Sequence, residues 1–216
     1  YLDNATFVNK DYETCQFTHL QKHDLNLVLQ KRYALLNWQQ GSGKTAAAYH
    51  RAKYLLKFRK VRNVVILAPA IAINMTWDAF LKTNKERYRV IRTSKDLEDV
   101  PEGIFLIVST SMLGKLKRSL ARFIKLRSRK LCLIFDESDE ITNPNSQRTK
   151  YVLCLFRRLK YKLLDTGTTT RNNISELYSQ FELLYNNSVN MICRCDRIYR
   201  ENKEREIESE SNPYYG

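Results

Sequence analysis

The stretch that decides the fold lies at residues 34–58 and reads ALLNWQQGSGKTAAAYHRAKYLLKF. A short apolar run is followed by a glycine-rich turn and then by good helix formers, which predicts a strand, a loop and a helix. Glycines in such a loop let backbone N–H groups approach a phosphate closely, and the helix N-terminus adds the positive end of its dipole. The pattern predicts a phosphate-binding loop formed by Gly41, Ser42, Gly43, Lys44 and Thr45.

Two side chains of this loop have predicted roles toward ATP. Lys44 is expected to reach the β- and γ-phosphates, and the Thr45 hydroxyl is expected to bind Mg²⁺. Trp38 stands where the strict pattern has glycine, but the GxGKT core is retained. The alternative is a chance GSGKT sequence, and the strand–loop–helix context favours the phosphate-binding interpretation.

A pair of acidic residues follows a later apolar run. Residues 131–137 read LCLIFDE, so that two carboxylates end a buried strand, where open parallel sheets bind ligands. Asp136 is expected to hold Mg²⁺ through water, and Glu137 to orient and deprotonate the attacking water. The alternative is a strand that ends in solvated acids, which is disfavoured beside a phosphate-binding loop.

Further short apolar runs, rich in β-branched residues, alternate with helix-like stretches. They lie near residues 64–68, 89–91, 104–108 and 161–164. Repetition of strand, loop and helix predicts a three-layer α/β domain with a mostly parallel sheet. A helical pattern is also expected at about residues 20–31, after an irregular N-terminal extension at residues 1–18.

Composition narrows the class of partner. The 216 residues carry a formal net charge of +14, which favours a polyanion, nucleic acid before membrane. Residues 115–130 contain eight basic residues and no acid, on a helix with an apolar stripe, and form either a phosphate-backbone contact or a solvated basic face. No apolar run is long enough to cross a bilayer, and five cysteines without a CxxC pair disfavour a disulfide scaffold or zinc ribbon.

Longer motifs resemble those of Snf2-type helicase-like ATPases. Residues 136–150, DESDEITNPNSQRTK, resemble the DEAH-box segment, and residues 163–179, LLDTGTTTRNNISELYS, resemble motif III. Residues 67–69, LAP, with Trp77 downstream, resemble motif Ia, and residues 108–111, VSTS, resemble motif Ib. The motifs occur in the family's order and cover about residues 20–184.

The resemblance implies a RecA-like N-terminal lobe at residues 19–190 and a charged tail or linker at 191–216. This lobe would bind ATP and Mg²⁺ and, with a second RecA-like lobe of the same full-length chain, would drive movement along DNA, duplex rather than single-stranded. In the family the second lobe supplies the arginine finger, so the fragment alone is expected to be nearly inactive. The fragment is also expected to be monomeric. An intracellular location is expected, cytoplasmic in bacteria or phage and nuclear in eukaryotes.

The resemblance also assigns residues to coupling or nucleic-acid contact and shows departures. Asp139 replaces the DEAH histidine, Asp165 occupies a position where an apolar residue or Ser is commoner, and Thr169 replaces a proline. Gln21 is the nearest glutamine to the family's adenine-reading position, which Asp24 occupies in the alignment. The coupling and nucleic-acid residues implied are Asp139, Thr166, Gly167, Thr168, Pro69, Ser109, Thr110 and Arg148.

Other interpretations stay open. The same motifs fit a motor lobe of a restriction–modification or mobile-element protein, or a viral transcription-linked ATPase. A non-hydrolysing nucleic-acid-binding scaffold is the alternative from another class. The substitutions at Asp139 and Thr169 leave it open, whereas the intact Lys44, Thr45, Asp136 and Glu137 disfavour it. Cys15, His19 and His23 recur every four residues and would share a helix face, but the resemblance offers no metal there, so a polar helix face is favoured.

Overall fold

The computed structural model describes residues 1–167, 177–185 and 204. In this part of the chain the strands are β1 (Thr6–Val8), β2 (Thr14–Gln16), β3 (Tyr33–Asn37), β4 (Asn63–Ala68), β5 (Tyr88–Ile91), β6 (Phe105–Ser109), β7 (Leu131–Phe135) and β8 (Tyr161–Thr166). The last six form one sheet in the order β3-β8-β7-β4-β6-β5, and every neighbouring pair is parallel. The predicted parallel α/β sheet is therefore confirmed.

Helices cover both faces of this sheet. They are α1 (His19–Val28), α2 (Lys44–Lys57), α3 (Ala70–Ala72), which continues through a π-helical turn (Ile73–Trp77) into α4 (Asp78–Thr83), then α5 (Leu113–Arg127), α6 (Gln147–Phe156) and α7 (Tyr178–Leu184). One core cluster joins the sheet to α1, α2 and α4, and the other joins it to α5, α6 and α7. Alternate residues of β4 enter opposite clusters, as expected for a strand that is buried on both faces.

The first 18 residues differ from their predicted irregular structure. β1 and β2 form an antiparallel hairpin in which Phe7 pairs with Cys15. The Asn9 side chain accepts hydrogen bonds from two backbone N–H groups of the turn, and the Phe7 and Phe17 rings pack at a centroid distance of 5.2 Å. Each strand has only three residues, too few for a recognisable alternation of apolar and polar residues.

The hairpin also settles the arrangement of the Cys15, His19 and His23 series. Cys15 lies in β2, whereas the two histidines belong to α1, so the three do not share one helix face. Among the described residues, no group of three or more His, Cys, Asp or Glu side chains is arranged to hold a metal ion. Over the same residues, no helix combines the length and apolar character of a membrane span.

His50 is a buried histidine on the inner face of α2. Its ring lies among the rings of Phe7, Phe17 and Tyr49, at centroid distances of 6.1, 5.1 and 4.9 Å. Burial lowers the pKa of His50 to about 4, because the charged imidazolium loses its hydration there. The other two of the three histidines, His19 and His23, are exposed on α1.

We predict that His50 makes the fold sensitive to acid. Since the unfolded chain binds a proton near pH 6.5 and the folded chain only near pH 4, this histidine lowers the free energy of unfolding as the pH falls through that window. Between pH 7 and pH 5 the free energy of unfolding of the original chain should fall by about 1–2 kcal/mol relative to that of His50→Phe, as measured by urea unfolding. His19→Gln is the matched control and should follow the original chain; equal pH dependence of the original and His50→Phe chains would contradict the assignment.

Candidate nucleotide site

The predicted phosphate-binding loop joins β3 to α2 at the carboxyl edge of the sheet. Gly41 and Gly43 have φ values of +80° and +86°, a left-handed conformation that glycine adopts without strain. Gly43 is the N-cap of α2, so the free N–H groups of that helix begin at this loop. The loop therefore has the backbone form of an anion site.

Lys44 lies across the loop, nine-tenths buried, and donates from Nζ to the Trp38 carbonyl at 3.3 Å. Gly167, which follows β8, lies beside this lysine: a Cβ at position 167 would be in ordinary van der Waals contact, 3.5 Å from Lys44 Nζ. The end of β8 therefore lies against the phosphate-binding loop.

Gln21 lies against the same loop. A capping box at the start of α1 fixes its side chain: Thr18 N–H donates to Gln21 Oε1 at 2.8 Å, while Thr18 Oγ1 accepts from Gln21 N–H at 3.3 Å. Gln21 Nε2 donates to the Ser42 carbonyl at 2.9 Å. Gln21 therefore lies beside the phosphate-binding loop, and its contact with adenine stays a prediction. Asp24, the alternative by alignment, instead accepts a hydrogen bond from the indole of Trp38 at 3.2 Å.

The strand order brings the acidic residues to this loop. β8 lies between β3 and β7, so residues at the end of β8 separate the phosphate-binding loop from Asp136. Asp136 is nine-tenths buried and accepts a hydrogen bond on Oδ2 from Trp77 Nε1 at 2.6 Å, and its own backbone N–H donates to the Leu67 carbonyl at 2.9 Å. Asp136 is therefore held by β4 and by the helical segment that follows it.

Glu137 occupies a strained backbone position next to Asp136. Its φ and ψ are both 54°, a left-handed conformation that costs a residue with a side chain about 1–2 kcal/mol. Burial and then the charge of Asp136 raise the pKa of Glu137, while Lys44 opposes the shift. A raised pKa brings a carboxylate nearer to the range in which it accepts a proton from water efficiently.

The chemistry of these donors fits Mg²⁺ with a nucleotide. Mg²⁺ prefers hard oxygen ligands and binds through one or two carboxylates, water and substrate phosphates rather than in an all-protein cage. Thr45 and Asp136 offer a hydroxyl and a carboxylate of this kind, on α2 and directly after β7. They are the residues that would hold the ion.

A family of known proteins matches most of the chain. The family described as "Type III restriction enzyme, res subunit" (ResIII) matches residues 11–171, three quarters of the chain. The chain belongs to the ResIII family. No curated protein sequence matches it.

Many solved structures share the fold, two of them from helicase-type proteins. The Sulfolobus solfataricus SWI2/SNF2 ATPase core in complex with dsDNA has a TM-score of 0.64 at 19% identity, covering 79% of this chain and 36% of that one. The UvsW helicase from bacteriophage T4 has a TM-score of 0.60 at 14% identity, covering 85% of this chain and 63% of that one. The chain thus spans less than two thirds of either protein. The predicted RecA-like lobe is confirmed as the fold of this ResIII chain.

The ResIII lobe brings some of the predicted coupling residues together. Thr166 Oγ1 donates to Asp139 Oδ1 at 3.3 Å, which joins the DEAH-like segment to the motif III-like segment. Ser138 Oγ donates to Gln180 Oε1 at 2.9 Å, so the same segment also reaches α7. Gln180 was not among the predicted site residues, because nothing in the sequence shows which strand its helix packs beside.

The other predicted coupling residues lie farther along the sheet or outside the described part of the chain. Pro69 follows β4. Ser109 ends β6, which is the neighbour of β4 in the sheet, and Thr110 comes directly after Ser109. Arg148, on α6, forms an ion pair with Glu140 at 3.0 Å. Thr168, predicted as part of motif III, lies outside the described residues.

Asp165 is the buried acid that the sequence marks as a departure. It is fully buried on β8 beside Asp136, and neither of its carboxylate oxygens accepts a hydrogen bond from a described residue. Burial, and then the negative charge of Asp136, raise the pKa of Asp165 well above its ordinary value of 3.8. A protonated Asp165 can donate to Asp136, which keeps two neighbouring carboxyl groups from repelling each other.

We predict that Asp165→Asn gains stability relative to the original chain as the pH rises. Above pH 3.8 the unfolded chain has lost the Asp165 proton while the folded chain still holds it. Until the folded chain also loses this proton, the free energy of unfolding of the original chain falls by up to about 1.4 kcal/mol for each pH unit. Urea unfolding from pH 4 to pH 8 measures the difference. The exposed Asp99→Asn control should show no trend, and a pH-independent difference for Asp165→Asn would contradict the shifted pKa.

Proposed function

We propose that this lobe binds ATP with Mg²⁺ and, joined to a second RecA-like lobe in its full-length chain, hydrolyses ATP to drive movement along duplex DNA. The observation that carries the proposal is the strand order, which puts β8 alone between the phosphate-binding loop and the Asp136–Glu137 pair. Bound Mg²⁺ would neutralise charge on the phosphates. Lys44 would bind the phosphates, and Glu137 would orient the attacking water and take its proton.

Hydrolysis is expected to need more than this lobe. Charge develops on the transferred phosphoryl group, and in related enzymes an arginine finger that stabilises it is worth roughly 10³–10⁵ in rate. Arg148 is tied to Glu140, which supports a structural or coupling role for it rather than that of the finger. The finger is therefore assigned to the second lobe.

We predict that the 216-residue chain binds ATP and hydrolyses it very slowly. Lys44→Ala should weaken binding of a fluorescent ATP analogue by about 10- to 100-fold, because a charge-assisted contact to phosphate is lost. Glu137→Gln should bind as well as the original chain. In the full-length protein both variants should abolish DNA-stimulated phosphate release.

Two results would contradict this assignment. Rapid turnover by the isolated chain, lost in Arg148→Ala, would place the finger in this lobe. Tight ATP binding by a full-length protein that releases no phosphate on any DNA would favour the non-hydrolysing scaffold.

The surface proposed for DNA is the exposed side of α5. Its apolar side, with Leu113, Leu116 and Leu120, enters the core, and the basic residues remain outside. A cavity of about 570 Å³ between α5 and the 3₁₀ turn Ser94–Leu97 is lined by Arg118, Arg122 and Arg127 among others. Because only the 3₁₀ turn Thr110–Met112 separates Ser109 from α5, this surface is close in the chain to the motif Ib-like residues.

We predict weak, sequence-independent and salt-sensitive binding of duplex DNA on this surface. Each phosphate contact contributes about 0.9 to the slope of log affinity against log salt, so Arg118→Gln with Arg122→Gln should reduce the slope by about 1.8. Fluorescence anisotropy with a labelled duplex measures it. Lys31→Gln with Arg32→Gln, which removes the same charge before β3, is the control; equal slopes for the two pairs would contradict a localised contact.

A motor lobe of a restriction enzyme is the second candidate, and the family match to residues 11–171 favours it. The full-length protein separates the two candidates. DNA strand breaks that depend on ATP would indicate restriction, whereas ATP-dependent movement without breaks would indicate a translocase.

A further inference from the structure

The side chain of Trp77 is fully buried, and its single polar atom, Nε1, donates a hydrogen bond to Asp136. The Nε1···Oδ2 distance is 2.6 Å, and both side chains lie in the interior. An indole nitrogen can only donate, and a hydrogen bond to a carboxylate is shorter and stronger than one between neutral groups. The contact therefore fixes the orientation of the carboxylate that is assigned to Mg²⁺.

The segment that carries Trp77 is shaped for this contact. The π-helical turn Ile73–Trp77 interrupts the helix between α3 and α4, and such turns are frequent at functional sites. Across it the buried side chains Ile73, Trp77 and Leu81 recur every four residues and face the core. Trp77 thereby reaches Asp136, which is 59 residues away in the sequence.

β4, which precedes this segment, holds Asp136 at a second point, and the segment itself faces solvent on its other side. The backbone N–H of Asp136 donates to Leu67, two residues before Pro69. Ile71 and Met75, between Pro69 and Trp77, are 66% and 76% exposed. Residues 67–77 thus connect an exposed, partly apolar surface directly to the acid of the site.

We propose that Trp77 is a positioning residue: its indole N–H holds Asp136 for Mg²⁺ and makes residues 67–77 part of the metal site. This inference rests on the proposed nucleotide function. A partner that holds a metal-binding carboxylate in place is worth about 10- to 100-fold in metal affinity. Loss of the indole N–H should therefore weaken the Mg²⁺-dependent part of nucleotide binding and spare the part that the phosphate-binding loop provides.

The test is binding of a fluorescent ATP analogue to the 216-residue chain, with Mg²⁺ and with EDTA. Trp77→Phe keeps an aromatic ring and removes the donor. We expect roughly 10- to 100-fold weaker binding with Mg²⁺ and little change in EDTA. Tyr88→Phe is the matched control. The Tyr88 hydroxyl donates to Asp78, on the same helical segment, at 2.9 Å, so this change removes an aromatic donor without affecting the contact to Asp136. It should change neither affinity.

A double-mutant cycle tests whether Trp77 acts through Asp136. In an Asp136→Asn background, Trp77→Phe should have no further effect on binding with Mg²⁺. If Trp77→Phe does not fold, 3-benzothienylalanine at position 77 keeps the bicyclic ring and replaces only the N–H by sulfur, with the same expected results.

The outcomes separate this inference from the proposed function. If the original chain binds ATP and Lys44→Ala binds it more weakly, equal losses for Trp77→Phe with Mg²⁺ and in EDTA, or no loss at all, would overturn the positioning role alone. Failure of the original chain to bind ATP with Mg²⁺ would overturn the proposed function, and the positioning role with it.

Discussion

The parallel pairing of β8 with both β3 and β7 is the constraint on which the site depends. In this register Leu36 lies opposite Asp165, Asn37 opposite Thr166, and Phe135 opposite Leu164. Three strands therefore end at one level, and parallel strands place their carboxyl ends at the same edge. The phosphate-binding loop, Gly167 and Asp136 meet because of this register, although Gly41 and Gly167 are 126 residues apart in sequence.

The local elements of the site could be predicted from the sequence, because short stretches determine them. GSGKT between a strand and a helix, and LCLIFDE at a strand end, each contain their own backbone signals. Strands were also predictable, since buried parallel strands are continuous apolar runs. The N-terminal hairpin was not, because its strands are too short to show a pattern.

Contacts between distant segments could not be predicted. Trp77 was noticed only as part of a motif Ia-like pattern, and Asp165 only as a departure from an apolar position. Neither observation reveals that both side chains lie against Asp136, because that depends on the order β8-β7-β4. Gln21 was ambiguous for a related reason: only the folded α1 shows that its capping box aims the free amide nitrogen at Ser42.

Asp136 has two buried neighbours of different chemistry. The indole of Trp77 donates a hydrogen bond to Asp136, whereas Asp165 is a second buried acid whose ionisation the charge of Asp136 opposes. Lys44 favours the charged forms of both Asp165 and Glu137, so one cation faces several acids. The carboxyl groups of Asp136 and Glu137 fit a site completed by a divalent cation that arrives with its nucleotide. A protonated Asp165 adds no negative charge to this site, and its proton instead lets it donate to Asp136 beside Trp77, so that two buried side chains can hold the same carboxylate.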